Sequence, residues 1–269
     1  IISLRDLVTT PPDTRLKDIM IRHLQTVRPE TDQEEVARIV SQYNYLAVPV
    51  IDQEGQLLGI VTVDEIVDVI REEATEDFLQ MAGAGKDREI LMKSSWDNAR
   101  MRLPWLFASW VGGVCAAAII GIFDNTLQST LALAAFIPVV IGMGGNIGTQ
   151  TSTLVVRGLA TGRVNVGNNI NIIFKEIRVG LILGILYGLL LGLFAIMRFV
   201  DISPYLGLVV GLGIACSMLI ATAFGSLVPL LFHRMDIDPA IATGPFVTTS
   251  IDILGVTLYF VIAKIFLPV

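Results

Sequence analysis

Five long apolar runs, all after residue 102, dominate the hydropathy pattern: Leu103–Phe123, Leu127–Val156, Val179–Met197, Pro204–Phe232 and Pro239–Ala263. Each is long enough for a helix to cross the hydrocarbon core of a bilayer. The second and fourth exceed that length and are expected to tilt or to extend into water. Ahead of them, polar stretches alternate with short β-branched runs. Ala47–Ile51 and Leu58–Thr62 read as strands joined by a turn at Asp52–Gly55, where glycine suits a positive φ. Glu34–Tyr43 and Asp64–Ile70 read as helices, and IISLRDL, residues 1–7, as a strand entering a helix. Glu72–Gln80 (EEATEDFLQ) continues as an acidic helical connector that Gly83 and Gly85 break.

The pattern makes the chain multi-domain: a partial α/β module, then an all-α transmembrane domain of five helices. The expected boundaries are 1–70 for the module (1–20 and 21–70 as its two parts), 71–102 for the connector and 103–269 for the membrane domain. Ile1 is not a start methionine, and the opening residues read as the interior of a longer protein. Net charge is −6, carried mainly ahead of the spans, which argues against nucleic acid as a partner. Basic residues set the orientation. Lys86, Arg88, Lys93, Arg100 and Arg102 precede the first span, Arg163, Lys175 and Arg178 follow the second, and His233 and Arg234 follow the fourth. Loops 124–126 and 198–203 offer only Arg198. The positive-inside rule then places the N-terminus in the cytoplasm and the C-terminus outside the cell or inner membrane. Cys115 and Cys216 each fall within an apolar helix and are expected to be free packing thiols.

Polar groups inside the spans carry the chemistry. Asp252 is the one acid among the residues of Pro239–Ala263, where an ionised carboxylate costs several kcal/mol unless compensated. Thr248, Asp252, Gly255 and Tyr259 share one face by spacing, and Pro245 is expected to bend the helix and free a carbonyl. Asp238-Pro239 reads as the helix start. In the second span Asn146, Thr149, Gln150, Thr153 and Arg157 lie at offsets 0, 3, 4, 7 and 11, again one face, beside Gly142, Gly144 and Gly145. Such a face turns to protein or water rather than lipid. Interhelical hydrogen bonding and transport both explain it. Carboxylate, hydroxyl and carbonyl oxygens suit Mg²⁺, Ca²⁺ or Mn²⁺. Two copies of Asp252 across a two-fold axis balance a divalent charge, which favours a homodimer in the bilayer. Gly180, Gly184, Gly188 and Gly192, spaced by four, read as a helix-packing stripe.

GMGGNIGTQTSTLVVRGLATG and DPAIATGPFVTTSIDILGVTLYF, preceded by EEATEDFLQMAG, resemble the MgtE magnesium channel family, and residues 26–70 resemble a CBS motif. The resemblance covers essentially the whole chain. It implies a dimeric Mg²⁺ channel that recognises a largely hydrated ion. Asp252 matches the pore aspartate, Thr248 the position offering a carbonyl, and Asn146, with Gly145 before it, the asparagine of the GGN motif. Glu72, Glu73, Glu76 and Asp77 match the plug helix. With Asp64 they are the expected cytoplasmic regulatory sites, where bound Mg²⁺ screens clustered acids and favours closure. Relatives also imply ATP at the CBS module; Ser3 and Asp6 fit that pattern, while Thr62 is followed by Glu65 instead of aspartate. Relative to the family, the N-terminal helical domain and most of the first CBS motif are missing, and Gly244 replaces a polar residue found in some members.

Two rival readings follow from the same residues. A secondary transporter exchanging Mg²⁺ or another divalent cation for Na⁺ or H⁺ uses similar stripes, but Asp252 reads as the sole mid-span acid, leaving few groups for a proton relay. An intramembrane enzyme lacks its parts. There is no second acid at depth and no HExxH, and His23 and His233 fall outside the spans.

Overall fold

The computed structural model describes residues 1–22, 24–85, 92–164, 169–200 and 202–267. His23, Lys86 and Arg88 lie outside the described residues. The chain divides into two compact units, Ile1–Ala74 and Thr75–Val269.

The first unit is small and α/β. Helix α1 (Leu4–Thr9) starts at Ser3, whose hydroxyl accepts the Asp6 amide at 3.0 Å. The strand expected before it does not form. Ile1 and Ile21 instead exchange backbone hydrogen bonds, a pairing too short to make a ladder. After α2 (Leu16–Ile19) and α3 (Gln33–Tyr43), β1 (Ala47–Ile51) pairs antiparallel with β2 (Leu57–Thr62), Ala47 opposite Thr62. Gly55 in the connecting turn has φ of 81°, as its position required. Val27 adds a parallel bridge to Val50. Asp32 caps α3 through the Glu34 amide. Val36, Ala37 and Val40 of that helix close over Val27, Val48 and Ile66 to form the core. The expected helix at Asp64–Ile70 and the acidic connector prove to be one element, α4 (Val63–Met81), because nothing between Ile70 and Glu72 breaks the helical ladder.

The second unit is helical and, among the described residues, has five helices long and apolar enough to cross a membrane. These are α5 (Ser95–Ile122), α7 (Ile137–Ala160), α8 (Asn169–Arg198), α9 (Leu206–Arg234) and α11 (Pro245–Phe266), with α6 (Asp124–Ser129) and α10 (Ala240–Thr243) as short pieces between them. The first helix begins earlier than its apolar run, because Ser94 caps it through Asp97 well before the lipid depth. A 3-10 segment at Leu131–Phe136 precedes α7 and turns the chain at Pro138.

Helix α9 is the hub, and glycines let its neighbours reach its backbone. A Cβ built on Gly184, Gly188 or Gly192 of α8 would stand 2.8, 2.6 or 2.7 Å from the carbonyl oxygens of Ala215, Gly211 and Gly207 respectively. The partners descend as the glycines ascend, so the two helices run antiparallel in close backbone contact, the packing role expected of the stripe. Helix α7 meets α9 in the same way, Gly225 facing the Gly148 carbonyl at 2.5 Å from its would-be Cβ. Leu133, Phe136, Val209, Val210, Val256 and Phe260 fill the space beyond. Both cysteines are free.

One expectation is corrected here. Tyr259 does not share an open face with Asp252: it is fully buried, and its hydroxyl donates to the Leu133 carbonyl at 3.1 Å. The ring needs the space that Gly213 leaves on α9. A second buried acid lies just ahead of an apolar run. Helix α8 starts well before the apolar run that marks it, and so includes Glu176, which is 7% exposed.

Gly188→Ala is expected to destabilise the protein by about 1–3 kcal/mol, because its methyl meets backbone that cannot move aside. Gly113→Ala, with nothing near its would-be Cβ, should cost no stability. Denaturant unfolding of both variants in detergent checks the contrast.

Candidate functional site

The site is built where α11 lies along α7. Gly148 accepts Ile251 so closely that its would-be Cβ falls 2.1 Å from Ile251 Cδ1, and Gly144 faces both Ile251 and Ser217. With Ile251 pinned inward, the next residue, Asp252, is turned along the edge of the α7–α11 contact. Its Oδ1 stands 3.8 Å from the would-be Cβ of Gly145, so a larger residue at 145 would begin to cover the carboxylate. Asp252 and Thr248 are half-buried, while Asn146 and Gln150 are exposed on the same side of α7. At Asn146 and Gln150 the polar face of the second span is therefore left open by the described residues. Thr149 and Thr153, also on that face, are half-buried, and Arg157 is exposed.

Below Asp252 the fifth span is broken rather than bent. Gly244 has ψ of −128° and ends α10, and Pro245 opens α11 as its first residue. Proline fits there because the amide it lacks would have no helical partner. Thr248 spends its hydroxyl on the Gly244 carbonyl at 3.2 Å. The start expected at Asp238-Pro239 belongs to α10, where Asp238 Oδ1 accepts the Ala240 amide at 2.8 Å. The other oxygen, Oδ2, accepts from Gln80 Nε2 at 2.8 Å. Gln80 is 1% exposed and lies at the end of the acidic helix, so the connector is fastened to the foot of the fifth span. A pocket of about 300 Å³ opens beside this junction, lined by Met81, Trp105, Thr149, Thr243, Gly244 and Thr248 among others.

The remaining predicted residues stay local. Glu73 accepts from Gln33, and Glu76 from Gln80 at 3.3 Å. Glu72 and Asp77 are half-buried and engaged, and Asp64 is exposed. Among the described residues, no three His, Cys, Asp or Glu side chains gather as a metal cage would require. Ser3 with Asp6, and Thr62 with Glu65, each form a small cap at their own helix start, at 2.8 Å between side chains and 3.0 Å from the Thr62 amide. Two functional candidates were missed. Gln80 carries no sequence signal beyond its place in the connector. Glu176 is hidden by the basic residues Lys175 and Arg178, which read as a loop.

Fold and site together define a multi-pass membrane protein with a CBS segment ahead of its helices. Residues 137–262 match the family model MgtE, described as a divalent cation transporter, and residues 16–72 match the CBS domain. The chain is 38% identical over 267 residues to the magnesium transporter MgtE of Bacillus subtilis, covering 99% of this chain and 58% of that relative. It is 37% identical over 270 residues to the magnesium transporter MgtE of Thermus thermophilus, covering 99% of this chain and 59% of the relative. The chain thus belongs to the MgtE family. It spans just under three fifths of the length of these curated relatives.

Asp238→Ala should take from the buried Gln80 amide the shorter of its two hydrogen bonds, leaving only the long one to Glu76, and lower stability by about 1 kcal/mol. Adding Gln80→Leu should recover part of that loss, because an apolar side chain needs no acceptor. A double-mutant cycle on unfolding measures the coupling, and strictly additive losses would contradict the bond.

Proposed function

We propose that the chain forms a Mg²⁺-selective channel of the plasma or inner membrane, as a homodimer with the ion path on the two-fold axis. The observation that carries this reading is the uncovered polar face. Asn146 and Gln150 are exposed on a helix otherwise built for lipid or protein, next to the half-buried carboxylate of Asp252. Polar residues at that depth face water or a second copy. One carboxylate per subunit gives two across the axis, enough to balance a divalent cation. Mg²⁺ sheds water reluctantly, so Asp252, the Thr248 carbonyl, Asn146 and the backbone near Gly145 act by accepting hydrogen bonds from its hydration shell. The name shared by the curated relatives, magnesium transporter, supports Mg²⁺ as the transported ion.

Regulation follows the same chemistry. Asp64, Glu72, Glu73, Glu76 and Asp77 form the cytoplasmic sensor, in which Mg²⁺ screens repelling acids and favours closure. Residues 1–70 then serve as the CBS module, with ATP at Ser3, Asp6, Thr62 and Glu65, and 71–102 as the connecting plug to the membrane domain at 103–269. The N-terminus is cytoplasmic and the C-terminus extracytoplasmic, from the distribution of basic loops. Exchange of Mg²⁺ against Na⁺ or H⁺ is the second reading, favoured by the buried Glu176, a second acid carried on a helix long enough to cross a membrane.

Mg²⁺ flux into proteoliposomes is expected to fall at least about tenfold in both Asp252→Asn and Asp252→Ala, since either removes the charge that balances the ion. Folding and dimer formation should be unchanged by gel filtration. Unchanged flux would remove Asp252 from the path. A pH gradient that drives Mg²⁺ uphill would favour exchange over a channel.

A further inference from the structure

The acid missed by the sequence pattern has no part in the path just described. Glu176 Oε2 accepts a hydrogen bond from the Thr151 hydroxyl of α7 at 3.2 Å. Thr151 is 1% exposed. It stands five residues after Asn146, so the two lie about 140° apart round the helix. The bond therefore grips α7 on the side turned away from its polar face. Helix α9 closes the same corner. The would-be Cβ of Gly225 falls 3.1 Å from Thr151 Cβ, and Gly180, one turn above Glu176, lies on Thr222. What α9 presents there is neutral: Thr222 and Ser226 donate to carbonyls of their own helix. Lys175 and Arg178 flank Glu176 on the exposed side of α8. Among the described residues Glu176 has no ion-pair partner.

We propose that Glu176 is a positioning residue that fixes the rotation of α7 about its own axis. The inference rests on the ion-path reading above, because its purpose is to aim Asn146, Thr149 and Gln150 into that path. Gly144 and Gly148 seat α7 against Ile251 and Ser217, and a polar bond on a different side of the helix adds a second, directional constraint on its rotation. A hydroxyl-to-carboxylate bond is directional, and here both partners are buried, Thr151 1% and Glu176 7% exposed.

Rotation is read directly by cysteine accessibility in the full chain, in membranes, on a Cys115→Ser, Cys216→Ser background. Gln150→Cys, on the exposed face, should react with a water-soluble thiol reagent, and Ser152→Cys, at a fully buried position, should not. Adding Glu176→Ala or the isosteric Thr151→Val should reduce the ratio of the two labelling rates about threefold to tenfold, the weight of one such bond. Glu176→Gln should preserve the ratio, because its amide oxygen still accepts, and so should Thr151→Ser. An unchanged ratio in both Glu176→Ala and Thr151→Val overturns the proposal. Mg²⁺ flux measured in the same vesicles should fall with the ratio. Flux lost in Glu176→Gln with the ratio intact also overturns it and assigns the carboxyl a charge-carrying role instead. Labelling does not depend on transport, so a failure of the Asp252 path shows separately, as unchanged flux in Asp252→Asn.

Discussion

Backbone-to-backbone packing against α9 is the constraint on which the rest of the membrane unit depends. Lipid offers apolar side chains nothing that protein does not, so helices here associate by close contact and by a few polar bonds rather than by leaving water. The glycines of α8, and Gly148 with Gly144 on α7, bring three helices close enough for both terms. Ser217 shows how little room remains. It stands 2.7 Å from the would-be Cβ of Gly144 and of Gly255, and its hydroxyl reaches the Val140 carbonyl at 3.4 Å. With Ile251 fixed in this packing, the direction of Asp252 follows. The orientation of the carboxylate is thus a product of glycines several residues away.

The sequence disclosed what periodicity and composition encode. Five spans, the hairpin with its positive-φ glycine, the helix over 34–43 and the packing stripe of α8 were legible because each rests on local spacing. The adjacency of Asp252 and the GGN segment was legible only as two polar faces, not as a contact. What escaped was decided by tertiary context. Tyr259 has the spacing of a pathway residue, yet the space left by Gly213 draws its ring into the interior. Glu176 sits between two basic neighbours, and hydropathy alone assigns such a triplet to a loop. Its burial depends on Thr151, which precedes it by 25 residues. Gln80 finds its acceptor 158 residues away, and no local pattern announces that.

The polar contacts of the membrane unit divide by what they hold. Tyr259 with Leu133, and Thr151 with Glu176, tie helices sideways within the bundle. Gln80 with Asp238 ties the end of the acidic helix to the foot of the fifth span. The first kind joins helices of the bundle, and the second links a charged helix to an apolar one.

The break at Gly244 bears on how force passes between them. In an unbroken helix, pulling on one end loads every hydrogen bond along the axis. Here the ladder stops at Gly244, and Pro245 begins a fresh one without losing a bond. The four residues of α10, held at Asp238 and buried at Ala240 and Thr243, meet the helix that carries Asp252 through Gly244 and not through a continuous ladder. The register of the membrane segment is thus set by its own first turn and not inherited from its foot, a mechanical insulation that rests on one glycine and one proline.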